Sequence, residues 1–392
     1  MEQPALASVC PHCGRGPGLR EARAAIDTAL ATLPIAQVVA GWRYLALTHY
    51  IAAVLLVDRG AACARAARTL PGVSHDRLTR LLGERSLPAL LMACLRAAAR
   101  ALGPAVWIID DVIVPKPASK TLAWAKGLWC PAERRYVHAI NIVVLFACWG
   151  TMRIPLGFRL WCPKEQAPKG CYQTKLMLAR DLVAEALADR LHCQYVVFDS
   201  WYATRVLTDY LVSQGLTWHG ALAGNHEVVV AGQRQRVDAL GRQLHDWLAH
   251  GIGHYVASAS VYSPHLGHVR LTRVRVDQPE RPYLYLVTND PRCTPTLAWR
   301  AKRSRWPVEV FFRDEKQLVQ LAGCSSPRVE AQKAHIALVL VGWVVLQRLR
   351  QAPSQTAGAV QEELRHTVWG HATRFSAPVS DSREDPERLK AA

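Results

Sequence analysis

Val106-Trp107-Ile108-Ile109-Asp110-Asp111 and Tyr195-Val196-Val197-Phe198-Asp199 share one construction, four apolar residues followed by an acid. A short apolar run of this kind reads as a buried strand. A carboxylate placed directly after it must be solvated, paired or metal-bound, and packing explains it poorly. In parallel or mixed sheets, strand ends are where sites form. One such acid is weak evidence, because Asp often opens a turn. Two are stronger, because they meet if their strands are neighbours. Strand alternation adds only that Asp110 and Asp111 point to opposite faces.

Outward from these two strands the pattern is regular. Ala139–Phe146 and Thr151–Trp161 read as strands with a turn near Gly150. Thr174–Leu191 reads as a helix, with apolar positions at Leu176, Ala179, Leu182, Val183, Ala186 and Leu187. A second helix, Ala203–Gln214, stops at Gly215, and a strand follows near Leu216–Leu222. Three strands, helix, strand, helix, strand is the order of an α/β, RNase H-like core, a mixed sheet with helices on its faces. Segment 225–293 breaks the rhythm with strand-like pieces such as Val269–Val276 and Tyr283–Thr288, and reads as a mostly β insertion.

The flanks complete the expected organisation. Residues 1–24 read as a flexible arm and 25–103 as an all-helical DNA-binding region. Segments 104–224 and 294–352 form the two parts of the core, and 353–392 is a C-terminal segment ending in a charged tail. Within the helical region, Ala62–Leu70 and His75–Leu82 flank a Pro71-Gly72 turn, with Ser74 where an N-cap belongs. This resembles a helix-turn-helix, with His75, Arg77 and Arg80 available to DNA. An ordinary helical hairpin has the same pattern.

Composition narrows the partners. The 392 residues carry 48 Lys and Arg against 31 Asp and Glu, a net charge of +17, which points to a polyanion such as DNA. The longest apolar run, Ile336–Leu346, is about half of the roughly 20 residues a membrane span needs, so a buried core helix and no membrane partner are expected. Met1–Cys13 lacks the basic-then-apolar order of a secretory signal, and the odd cysteine count suits a reduced, cytoplasmic chain. Cys10 and Cys13 form a single CxxC with no second pair nearby, so zinc is not expected there.

The third candidate acid lies in Arg305-Trp306-Pro307-Val308-Glu309, followed by Glu315-Lys316. Pro307 suits a first helical turn. At about 100° per residue, Arg305, Glu309 and Lys316 fall on nearly one face, with Glu315 elsewhere. An exposed, salt-bridged helix face gives the same stripe. Metal-dependent phosphodiester cleavage needs an activated water and a stabilised leaving oxyanion, which two divalent ions roughly 4 Å apart supply. Hard ions such as Mg²⁺ take oxygen ligands, so three convergent carboxylates are the expected cage.

These segments resemble bacterial insertion-sequence DDE transposases of the group with a Y-(2)-R-(3)-E-(6)-K signature. Arg305, Glu309 and Lys316 match R, E and K at those spacings, while Lys302 stands at the tyrosine position. Phe198-Asp199-Ser200-Trp201-Tyr202 resembles the second-acid motif, in which an aromatic follows the Asp by three. Ile109-Asp110-Asp111 resembles the first-acid motif, with Val112 replacing its usual hydroxyl residue. The resemblance spans about Val106 to Arg350 and makes Asp110, rather than Asp111, the first metal ligand. It implies catalysis by Asp110, Asp199 and Glu309 holding two Mg²⁺ ions, with Mn²⁺ as a substitute. It further implies cleavage at transposon ends, transfer of the freed 3′-OH into target DNA, and a homodimer on double-stranded DNA. Arg305, Lys316, Lys302, Arg303, Arg77 and Arg80 are the expected DNA contacts, and Arg270, Arg273 and Arg275 of the β insertion are alternatives. The implied location is the bacterial cytoplasm, at the nucleoid. A catalytically inactive, transposase-derived DNA-binding protein or regulator is the alternative, and a general RNase H-like nuclease or resolvase is a third.

Overall fold

The computed structural model describes residues 18–117, 119, 121–130, 133–243, 248–249, 255–276, 283–305 and 318–369. Five α-helices come first: α1 (Gly18–Ala31), α2 (Gly41–Leu56), α3 (Cys63–Thr69), α4 (His75–Leu82) and α5 (Leu87–Arg100). Residues 18–24 of the expected arm are helical, and residues 1–17 lie outside the described residues. Gly18 already opens α1, whose Ala22, Ile26, Ala29 and Leu30 are buried at helical spacing. Ser74 caps α4 by accepting the Arg77 N–H at 3.4 Å, as the Pro71-Gly72 turn predicts.

The strands are β1 (Ala105–Pro115), β2 (Lys126–Cys130), β3 (Arg135–Trp149), β4 (Met152–Trp161), β5 (Cys193–Val197) and β6 (Trp218–Leu222). Helix α6 (Lys175–Ala188) precedes β5 and α7 (Arg205–Ser213) follows it. After α7 the chain turns at Gly215, whose φ of 71° a side chain would resist. Strand β1 pairs antiparallel with β3 and parallel with β5, and β5 runs parallel to β6. Strand β4 lies along the other edge of β3. The order β4-β3-β1-β5-β6, with β3 antiparallel to the parallel trio, is the RNase H-like sheet.

The inserted segment extends this sheet. It contributes β7 (Glu227–Val230), β8 (Gln233–Arg236), a short helix α8 (Val237–Gln243), β9 (Leu248–Ala249), β10 (Tyr255–Ser263), β11 (Gly267–Arg275) and β12 (Tyr283–Thr288). Strand β12 returns alongside β6, so the order continues β6-β12-β11-β10-β7-β8. The last elements among the described residues are α9 (Pro295–Ser304), α10 (Val329–Arg348) and α11 (Ala357–Trp369). Thr294 accepts the Leu297 N–H and Pro295 stands in the first turn, the sequence signals that account for α9.

One apolar cluster unites the helices with the sheet. It joins Ile26 of α1, Leu47 of α2, Leu78 of α4 and Leu95 of α5 to Ile108, Phe146 and Leu156 of the strands and to the middle of α10. Helix α10 has a span's length and apolarity, yet 89 % of its most apolar window is buried in protein, as a core helix requires. Polar ties reinforce the union. Carbonyls at the end of α2 would be left without partners inside the core. Gln361 donates to Leu55 O (2.9 Å), Arg365 to the same oxygen (2.9 Å) and Trp369 to Leu56 O (3.0 Å). Arg96 of α5 donates to Leu156 O of β4 at 3.0 Å and pairs with Asp189 just past α6.

Candidate metal-ion and nucleic-acid site

Strand β1 does not end on its acids. It runs to Pro115 because β3 accompanies it that far, the last pair being Pro115 with Ala139. On its other edge, pairing with β5 stops at Ile108–Val197. Asp110 and Asp199 each lie two residues beyond that last pair, so both stand at the same open end of two adjacent parallel strands. The register produces this juxtaposition, and neither sequence motif contains it.

Asp110 is 8 % exposed. Its Oδ1 accepts the Asp111 N–H at 2.9 Å and its Oδ2 takes Arg305 Nη1 at 2.8 Å. Burial raises its pKa to about 7, Arg305 opposes that rise, and the nearby Asp199 charge adds to it. Asp199 follows Phe198 in a tight turn, where its Oδ1 accepts the N–H groups of Trp201 (3.0 Å) and Tyr202 (3.3 Å). Phe198 is seated against Gly220 of β6, where an added Cβ would come within 2.7 Å of the Phe198 ring. A larger residue at 220 would displace the ring that sets Asp199.

Asp111 points to the opposite face, as alternation requires. There it is held by four contacts: Lys175 Nζ to both carboxylate oxygens (3.1 and 3.0 Å), Asn141 Nδ2 (2.6 Å) and Tyr202 OH (3.1 Å). Lys175 also lies 4.0 Å from the centre of the Trp201 ring. Tyr202, fully buried, thus links the turn that carries Asp199 to the strand that carries Asp110. Burial and the Asp111 charge hold its phenol well above the usual range. Sequence reasoning missed Asn141 and Lys175. A lone amide inside the apolar run Ala139–Phe146 was the available signal, since a buried polar side chain needs a partner. Lys175 had none, being an ordinary residue at a helix start.

The remaining expected residues divide as follows. Arg305 is the C-cap of α9 and Asp110's counter-ion, whereas the sequence had set it beside phosphate on a helix with Glu309. Glu309 and Lys316 lie outside the described residues, as do Cys10 and Cys13. Lys302 and Arg303 close α9, one turn from Arg305. Arg77 and Arg80 are on α4, and Arg80 lies 5.6 Å over the Trp42 ring. In the β insertion, Arg273 is 2 % exposed and stacks 5.1 Å from Tyr283, which makes it a sheet-packing residue. Among the described residues, no three His, Cys, Asp or Glu side chains are grouped to hold a metal ion. The pair itself suits a hard cation: Asp110 and Asp199 both offer carboxylate oxygens, and the buried Asp110 already draws a positive group.

An RNase H-like sheet that sets two carboxylates just beyond the last paired residues of two adjacent parallel strands belongs to the class of metal-dependent enzymes that cut phosphodiester bonds. The family model for DDE superfamily endonucleases matches residues 42–246, more than half of the chain, and the chain belongs to that family. The match takes in α2 to α5 as well as Asp110 and Asp199. DNA is the substrate and divalent-metal chemistry the mode of action that go with this superfamily. No curated protein matches the chain.

Proposed function

We infer that the chain is a transposase of the Y-(2)-R-(3)-E-(6)-K insertion-sequence group, cutting at transposon ends and joining the freed 3′-OH to target DNA. The observation that carries this reading is the Ile108–Val197 register, which sets Asp110 and Asp199 together. Arg305 supports the third ligand. Its guanidinium reaches Asp110, and Glu309 follows by four residues, a span of at most about 14 Å. Asp110, Asp199 and Glu309 would hold two Mg²⁺ ions, with Mn²⁺ able to replace them. Bound there, the ions supply water activation and stabilise the leaving oxyanion.

The chain's own residues then have distinct tasks. Arg305 favours the ionised form of the Asp110 carboxylate against burial and would be free to meet the phosphate beside it once a metal ion held that carboxylate. Asp111, fixed by Lys175, Asn141 and Tyr202, holds β1 and the Asp199 turn in one geometry. Lys302, Arg303 and Lys316 neutralise phosphates near the cut, while Arg77 and Arg80 serve the end sequence. A homodimer would bring two ends together in the cytoplasm.

The test uses duplex DNA that flanks the gene and contains its inverted repeats. The purified chain with Mg²⁺ should nick at the repeat boundary and insert the released end into a plasmid. Asp110→Asn, Asp199→Asn and Glu309→Gln should each bind the duplex yet leave it uncut. Cleavage surviving in any of the three removes that acid from the site. Binding without cleavage by the unaltered chain would instead identify a regulator.

A further inference from the structure

The β2–β3 ribbon carries a surface used neither by the core nor by the acid pair. Trp129 and Tyr136 are direct cross-strand partners, with ring centroids 5.5 Å apart and planes at 68°. They are 50 % and 72 % exposed. Alternation sends Leu128, Cys130, Val137 and Ala139 to the other side, where with Ile113 they form a small apolar cluster. The ribbon is therefore anchored on one face and presents two large aromatics on the other. Large exposed aromatics on a well-anchored element mark a binding surface.

Register ties this surface to the acids. Asp110 faces Val144 across the ladder, and Tyr136 has the same parity on β3 as Val144. Trp129, Tyr136 and Asp110 consequently share one face of the sheet. From 144 to 136 is eight residues along β3, about 27 Å at roughly 3.4 Å per residue. The ribbon projects past Pro115, at the end of the sheet toward which β1 and β5 point. Its tip carries exposed Arg134 and Arg135; Arg135, the cross-strand partner of Cys130, lies on the side away from Trp129 and Tyr136 and pairs with Glu133 at 2.5 Å. Glu133 N–H donates to the Cys130 carbonyl at 3.1 Å. Lys126 lies at the ribbon's base, 3.6 Å from Glu165.

We propose that this ribbon enters the major groove of the DNA about eight base pairs from the bond cut at Asp110, at roughly 3.4 Å per base pair. Trp129 and Tyr136 meet base edges and sugars, and Arg134 and Arg135 hold the flanking phosphates. The major groove admits a two-stranded β-ribbon. The proposal rests on the reading of Asp110 as the cleavage site. A second copy of the chain is the competing occupant, but it carries the same +17 charge, whereas duplex DNA complements the two arginines.

The experiment measures full-length chain binding a fluorescein-labelled duplex of about 40 base pairs, by anisotropy in EDTA over a salt series. Trp129→Ala with Tyr136→Ala should weaken binding about tenfold or more and leave the salt slope unchanged. Arg134→Ala with Arg135→Ala should flatten the slope by about two. If the double aromatic variant is thermally destabilised, Tyr136→Ala alone must weaken binding in the same direction. Unchanged affinity in the aromatic variants overturns the proposal. So does a shift in sedimentation without a change in affinity, which would assign the surface to a second copy. If the unaltered chain binds but never cleaves with Mg²⁺, the Asp110 reading fails while the ribbon result stands. If it binds no duplex, both fail.

Discussion

At the scale of single residues, Asp110 is where burial and charge compete. Burial outweighs Arg305 and raises its pKa from 3.8 to about 7. The folded chain then binds this proton more tightly than the unfolded chain, so between about pH 4 and 7 stability falls as pH rises. A shift of that size corresponds to about 4 kcal/mol at most. Asp110→Asn removes the charge and keeps one oxygen, which can accept from Arg305 or from the Asp111 N–H but not from both as the two carboxylate oxygens do. Without metal, it should melt several degrees above the unaltered chain at pH 8, the gap narrowing as pH falls toward 4. Added Mg²⁺ should raise the melting temperature of the unaltered chain and leave the variant where it was. Calorimetry at several pH values reads both effects, and a gap that widened on acidification would contradict the burial argument.

At the scale of elements, α10 and α4 make separate predictions. His335 of α10 accepts the Tyr50 hydroxyl on Nδ1 (2.8 Å) and donates from Nε2 to the carbonyls of Gln320 and Leu321 (both 3.1 Å), the pattern of a neutral ring. Burial lowers its pKa to about 3, with the Lys116 charge assisting. Its folded-state value lies below the unfolded one, so its contribution is present above about pH 6.5 and is lost as pH falls toward 3. From pH 6.5 to 5 that loss is about 2 kcal/mol. Urea unfolding of His335→Gln should show a flatter acid limb than the unaltered chain, and equal slopes would mean another group governs it. For α4, Arg77→Ala with Arg80→Ala should flatten the salt dependence of DNA binding by about two units of slope. No change in slope would reduce α4 to a packing element, with Ser74 and its Pro71-Gly72 turn serving only the hairpin.

At the scale of the molecule, the helical region and the sheet share one core. Arg96 of α5 crosses the same boundary to Leu156 of β4, and α11 caps α2 from the C-terminal side of the chain. Far-UV dichroism and the fluorescence of the 13 tryptophans should therefore lose signal in one coincident urea transition. Two separated transitions would show that α1 to α5 fold independently of the sheet. On the proposed reading, a shared core would have DNA held by α4 and DNA cut at Asp110 gripped by one body.

How much was legible beforehand depended on whether the determining interaction was local. Apolar runs and helical spacing are local, so β5, β11, β12, α6 and α7 could be read to within a few residues. The acids after two strands could be picked out for the same reason. The end of β1 could not, because β3, more than twenty residues later in the chain, keeps it extended to Pro115. Helix α11 and the ribbon strand β2 lacked a decisive pattern and are organised by their neighbours. At the site, the sequence by itself determined which carboxylates were candidates, since a charge after a buried strand has few explanations. Only the tertiary structure decided that Asp110 stands beside Asp199, that Asp111 is engaged by Lys175, Asn141 and Tyr202, and that Arg305 is a counter-ion. Those outcomes follow from strand register and from contacts across 64 and 195 residues of chain, which no local pattern encodes.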